Sequence, residues 1–401
     1  MNAPSDVFLH DKLHALHAQA DEFIAVRRDI HQHPEMGYKE YRTSDLVAEQ
    51  LSAWGYRVTR GLGDTGLVGQ IQKGSGRKRI GIRADMDALP IDEATCLPYA
   101  SCNVGIMHAC GHDGHTAMLL SAAKHIAQKG AFSGTVNLIF QPAEEGLGGA
   151  KKMMEDGLFE QFPCDAIFAM HNMPGQPQGH LILRDGPAMA SSDNVTITLH
   201  GKGGHGAMPH MAVDPVVAGS AIVMGLQSIV ARNVDPQQMA IITVGAFNAG
   251  VANNVIPQSA TLRLSVRSLD RDVRILLEKR ITELVQAQAD SYGVTADIDY
   301  QRGYPVLVNH LQETDFARSV ADELVGADRV VRQGRALNGS EDFAFMLEKV
   351  PGSYLLIGNG NGEGDGHGAC MVHNPGYDFN DKNVAVGSAF WSLLVERFLP
   401  A

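Results

Sequence analysis

The sequence predicts an α/β protein with a mostly parallel central sheet and an inserted α+β domain of ferredoxin-like order. Three observations predict it. Four short apolar runs, RIGIRADMD (79–87), TVNLIFQPAEE (135–145), DAIFAMHN (165–172) and SYLLIGNG (353–360), read as strands buried on both faces. Helical patterns follow the first two, HTAMLLSAAKHIAQKG and GGAKKMMEDGLFEQF, and alternation of strand with helix argues for a parallel sheet under helices. From about Ser192 to Gly303 the texture changes to alternating apolar and polar residues, the mark of half-exposed antiparallel strands. Residues 1–190 and 304–401 are therefore expected to form the α/β domain, and residues 191–303 the insertion.

In chain order, Asp11 to Gly55 reads as helical: Leu13, Leu16, Phe23, Ile24, Ile30, Leu46, Val47 and Leu51 recur near helical spacing. Pro34 interrupts the pattern, since the residue before a proline avoids the helical region. The insertion carries three alternating runs, SDNVTITLHGKG, QMAIITVGAFNAG and ATLRLSVRSLD, with two helical patterns, DPVVAGSAIVMGLQSIVAR and DRDVRILLEKRITELVQAQADSYG, giving strand–helix–strand–strand–helix–strand. YPVLVN (304–309) returns the chain to α/β character.

Composition bounds the function. A formal net charge of −12 on 401 residues argues against a nucleic-acid partner. No long uninterrupted apolar run suits a bilayer, so no membrane is expected. The N-terminal stretch has charges and histidines where a secretory signal needs an apolar core, which reads as a cytoplasmic start. Five irregularly spaced cysteines do not make a disulfide framework.

The chemistry concentrates in MHACGHDGH (107–115), which packs three histidines, a cysteine and an aspartate into one loop before a helix. Thiolate and imidazole are ligands for borderline divalent metals. Asp85 and Asp87, Glu144 and Glu145, and His171 come at the C-terminal ends of three predicted strands, the edge where open α/β sheets bind ligands. Glu144 and Glu145 are consecutive, so their side chains point different ways: one can ligate while the other faces the cleft. His373 sits in the C-terminal loop MVHNPGYDFND. Cys110, His112, Glu145, His171 and His373 together exceed what one open metal site needs and suit two metals, with the Cys110 sulfur able to bridge them. Asp87, and less so Asp85, can orient a ligating histidine through its other nitrogen, or simply cap the following turn. Ser340, Glu341 and Asp342 read as a helix start or as part of a substrate pocket. His10, His14 and His17 read as solvated. Ser191 and Ser192 lack the context of a serine nucleophile.

The ordered set RRDIHQHPEMGYKEYRTSD, GIRADMDALPI, MHACGHDGHTAMLL, FQPAEEGLGGAKKM, MHNMPG, GKGGHGAMPH, ANNVIPQSATLRLSVRS, GSEDFAFM and HNPGYDFND closely resembles the hippurate hydrolase branch of the aminoacylase-like di-metal peptidases. The likeness runs through nearly the whole chain. It implies a di-metal catalytic domain with a lid that dimerises. It implies ligation by Cys110, His112, Glu145, His171 and His373, and Glu144 as general base. It leaves the metal open among zinc, manganese, cobalt and nickel. His108, Asp113 and His115 fall to supporting or helix-start positions. From spacing alone His205 is a surface-loop histidine and Arg267 an outward residue on an alternating strand. The resemblance instead puts His205 on the oxyanion, in its own or a partner subunit's site, and makes Asn254 and Arg267 a clamp for a substrate carboxylate. The implied reaction is hydrolysis of the amide of an N-acyl-amino acid, with a dipeptidase or carboxypeptidase as the alternative and a non-catalytic binding protein as the remote one. His31, His33 and Glu40 belong to a motif with no role legible from sequence.

Overall fold

A computed structural model of the chain describes residues 11–363, 366 and 368–401. The expectation for the first ten residues, His10 included, lies outside them. The chain divides into two compact units: residues up to Gly186 with Val308–Arg335 and Phe345–Ala401, and Pro187–Leu307 with Ala336–Ala344. The segment Ala336–Ala344 thus groups with the second unit, whereas the sequence reading left it with the α/β domain.

The first unit opens with helices α1 (Asp11–His17), α2 (Ala20–Gln32) and α3 (Tyr41–Ala53). Leu13 and Leu16 of α1 are buried while His14 and His17 are exposed, as expected of a solvated face. Its sheet includes strands β1 (Arg57–Leu62), β2 (Gly66–Lys73), β3 (Arg79–Asp85), β4 (Gly134–Gln141) and β5 (Ala166–Met173), with strand Gly352–Gly358 beside β5. The four strands read from apolar runs lie side by side, in the order β4, β3, β5, Gly352–Gly358, and all are parallel. The sheet is mixed at its flanks: β1 and β2 form an antiparallel hairpin, and β2 adds antiparallel to β4. The sequence reading passes over this hairpin because four glycines from Gly61 to Gly69 break its alternation.

Helices cover both faces. A Cβ at Gly69 of β2 would meet Leu51 of α3, whereas one at Gly66 would meet Met153 of the helix Gly149–Glu155. Three residues apart along a strand means opposite faces. Helix α4 (His112–Lys129) packs against the C-terminal helix Lys382–Phe398 and α2, and is buried from His112 to Ala123. Register brings the strand ends together: Asp85 pairs with Gln141, and Arg83 pairs with Ala169, two residues before His171.

The second unit has a four-stranded antiparallel sheet in the order Ala240–Ala249, Ser259–Ser268, Asp193–His200, Thr295–Arg302. With helices Pro215–Asn233 and Arg271–Tyr292 in sequence between them, this is the ferredoxin-like order. Asp214 and Asp270 cap the two helices by accepting from Val216 N–H, and from Asp272 and Val273 N–H. Ile222, Leu226, Leu277 and Ile281 bury against Ile197, Leu262 and Leu264. Helix Pro215–Asn233 is long and apolar enough by composition to cross a membrane; its Ala218, Ile222, Leu226 and Ile229 are core residues of this unit.

Candidate metal centre

Gly111 sets the site. It adopts φ 92°, a left-handed value open to glycine, and a Cβ there would lie 2.3 Å from Asn172 Nδ2 and 2.4 Å from the Tyr377 hydroxyl. The turn delivers Cys110 on one side and starts α4 with His112 on the other. Asn172, next to His171 on β5, donates from Nδ2 to Cys110 O at 2.6 Å and accepts from the Tyr377 hydroxyl at 2.7 Å. Neither residue was singled out from sequence, although Asn172 stands in the MHNMPG motif.

Two triplets of candidate ligand atoms converge: Cys110 with His112 and His171, and Cys110 with Glu145 and His373. In each triplet the atoms lie within 4.8 Å of one another, and Cys110 belongs to both. His112 and Cys110 are buried, His171 and Glu145 half-buried, and His373 exposed. Cys110 Sγ is 3.3 Å from His171 Nε2, and His373 Nε2 is 3.1 Å from Glu145 Oε1. His373 is held in the loop by its N–H on Ala109 O, at φ 65°.

His112 and His171 are each engaged at Nδ1, which leaves Nε2 for a cation. His112 Nδ1 contacts Asp87 O at 2.9 Å and Asp87 Oδ1 at 3.2 Å; His171 Nδ1 contacts Asn172 O at 2.6 Å. A second partner on the far nitrogen is what fixes the tautomer and aim of a ligating imidazole. Asp87 also accepts Glu145 N–H on Oδ2 at 3.0 Å, so it links two candidate ligands. Asp85 is occupied otherwise, by Arg83 Nη1 and His115 Nδ1, each at 2.6 Å. His115 Nε2 in turn accepts Asn172 N–H at 3.0 Å, which leaves His115 no nitrogen for a metal.

The residues fit a pair of cations. His112 Nε2 is a buried atom with no hydrogen-bond partner among the described residues, and Glu145 Oε1 is buried beside His373 and Cys110. Burial, and then the Glu145 carboxylate, pushes the Cys110 thiol well above its ordinary range, so a thiolate here calls for positive charge from elsewhere. Burial, and then His115 beside it, holds His171 well below the usual imidazole value, leaving it neutral and able to donate a lone pair. Burial alone would raise Asp85, but His112, Arg83 and His115 outweigh it and keep the carboxyl well below its usual range.

Glu144 and Glu145 stand three and four residues past the end of β4. Their carboxylates and His112 form a further group of ligand-type atoms within 4.8 Å. Glu144 is buried.

In the second unit, His205 pairs with Val255 across a short ladder, and Gly206 N–H bonds Asn254 O at 2.8 Å, so His205 and Asn254 are neighbours on an exposed turn. Arg267 donates from Nη1 to Asn338 O at 3.0 Å. Glu341 accepts Phe343 N–H at 2.9 Å, which is the helix-start arrangement. The Ser191 hydroxyl is buried on Ser268 and has no histidine partner among its hydrogen bonds.

Known proteins resemble this chain along almost its full length. A hippurate hydrolase of Campylobacter jejuni is 46% identical over 378 residues, 94% of this chain and 97% of its own. Thermostable carboxypeptidase 1 of Saccharolobus solfataricus is 40% identical over 385 residues, 94% of this chain and 95% of its own. A crystal structure of the Bacillus subtilis YXEP protein, a dinuclear metal-binding peptidase of the M20 family, superposes with TM-score 0.81 at 32% identity, covering 94% of this chain and 98% of that one. The model of peptidase family M20/M25/M40 matches residues 81–397, and the chain belongs to that family.

Proposed function

We propose that the protein is a metal-dependent amidohydrolase that cleaves the amide bond of N-acyl-amino acids to a carboxylic acid and a free amino acid. The observation that carries this reading is the pair of ligand triplets sharing Cys110, with the buried Glu144 alongside. Cys110, His112 and His171 would hold one cation, and Cys110, Glu145 and His373 the other. Zinc, manganese, cobalt and nickel all suit this donor set; the thiolate favours zinc. When bound, two divalent cations lower the pKa of a water and polarise the amide carbonyl.

Glu144 supplies the proton relay. Its carboxylate takes the proton of the attacking water and delivers it to the amide nitrogen, so that the C–N bond breaks and the amine leaves neutral. Asp87 keeps His112 and Glu145 in place during this exchange. His205 donates to the carbonyl oxygen as it gains charge, in the same or a partner subunit. Arg267 and Asn254 grip the carboxylate of the amino acid, a planar anion that suits a guanidinium fork. The second unit exposes the apolar side chains of Val217, Met224, Met208, Met211 and Val251, which supports dimerisation through the inserted domain. Five free cysteines, Cys96 and Cys102 exposed among them, support a cytoplasmic location.

A carboxypeptidase or dipeptidase reading is favoured by the 40% identical thermostable carboxypeptidase. Turnover of hippurate and N-acetyl-amino acids against a panel of free dipeptides separates the two. Acyl-amino acids preferred by tenfold or more in kcat/KM support the amidohydrolase; the reverse ranking supports the peptidase.

A further inference from the structure

Glu40 stands at the first-cap position of α3 but does not cap it. A short polar side chain there ordinarily accepts the free amides of its own helix. In this chain Glu35 does so instead, accepting Arg42 N–H and Thr43 N–H at 2.9 Å each. The Glu40 carboxylate is turned inward and fully buried. It accepts Ala143 N–H at 2.9 Å on one oxygen and the Thr65 hydroxyl at 2.5 Å on the other.

Ala143 is the residue before Glu144. It is buried and has φ 55°, a left-handed value that a non-glycine residue holds only when its surroundings enforce it. Its carbonyl accepts Gly149 N–H at 3.0 Å, closing the turn. Gly37 permits the close approach of the preceding loop, because a Cβ there would lie 3.0 Å from Ala143 Cα. The amide on the other side of Glu144, that of Glu145, is held by Asp87. Glu144 is thus flanked by two backbone amides, each fixed by a buried carboxylate.

We propose that Glu40 is a positioning residue for Glu144: by holding the Ala143 amide it enforces the strained turn that aims the general base. This rests on the assignment of Glu144 as base. Misaim of a reacting group by an ångström costs on the order of 10²-fold in rate.

The test uses the metal-loaded enzyme and hippurate, reading kcat, KM and metal content. Glu40→Ala is expected to lower kcat about 10²-fold, with KM and metal content within about threefold of wild type. Glu40→Gln, whose amide oxygen still accepts the Ala143 N–H, is expected to recover at least tenfold over Glu40→Ala. Where Glu40→Ala does not fold, Glu40→Met, which fills the space without an acceptor, is read by the same criteria. Wild-type kcat in the acceptor-free variant, loss of activity in step with lost metal, or a Gln variant no better than Ala overturns the proposal. Glu144→Gln is run in parallel. If it stays active the base assignment fails; if it is inactive while Glu40→Ala is fully active, only the positioning role fails.

Discussion

Gly111 has no space for a side chain, and its substitution isolates the geometry that the Cys110–His112 turn demands. Gly111→Ala would press a methyl onto Asn172 and Tyr377 in a backbone conformation that alanine disfavours. The expected result is a loss of at least 2 kcal/mol, on the order of a severe single substitution, with reduced metal content, measured by urea unfolding and metal analysis. Wild-type metal content in a folded Gly111→Ala enzyme would contradict it. His205→Ala is expected to lower kcat by about 10²–10³ with little change in KM, as for removal of one oxyanion donor. Equal loss through KM alone would remove His205 from that role. At this scale the sequence was informative wherever the chemistry resides in a side-chain type: Cys110, His112, Glu145, His171 and His373 are ligand-type residues. Glu40, Asn172 and Tyr377 were not legible, because Glu40 acts on Ala143 N–H, Asn172 on Cys110 O, and Tyr377 on Asn172. A partner far along the chain, whether backbone or side chain, leaves no pattern in the sequence.

The elements behind the site are joined by buried charge. Arg27 of α2 pairs with Asp113 in the first turn of α4 at 2.9 Å and with Asp378 of the C-terminal loop. His31 of α2 contacts Asp113 Oδ2 at 2.9 Å and Glu93 Oε1 at 3.2 Å. Burial opposes a charge on His31, yet the hydrogen bonds to Asp113 and Glu93 raise its pKa to about 9 from 6.5. Because the folded value is the higher one, this contribution is fully present below pH 6.5 and is lost as pH rises through 9. A gap of that size corresponds to about 3 kcal/mol at most. Urea unfolding at pH 6.5 and pH 9.5 is expected to show a stability loss that shrinks in His31→Gln. An unchanged loss in the variant would assign the pH dependence to other groups. The motif HQHP was visible as sequence, but its partners lie 62 and 82 positions away, so only the fold discloses what His31 does.

At the scale of the molecule, the parallel strands and the alternating insertion were both readable because burial on two faces and on one face leave different periodicities. The glycine-rich hairpin of β1 and β2 and the return of Ala336–Ala344 to the second unit leave none. The candidate ligands come from α4 and the turn before it, the turn after β4, strand β5 and a C-terminal loop, so bound cations would cross-link parts of one unit that are distant in sequence. Chelation is therefore expected to abolish turnover and to raise amide exchange near residues 107–115, 142–149 and 371–378 while leaving helices Pro215–Asn233 and Arg271–Tyr292 unchanged. Exchange that rises uniformly over both units would argue against a local centre. Metal analysis with hippurate turnover on wild type and Glu144→Gln tests the two-cation amidohydrolase most directly. Two equivalents of divalent metal per chain are expected in both, with turnover lost only in the variant. One equivalent or fewer at full activity, or an active Glu144→Gln enzyme, would contradict it.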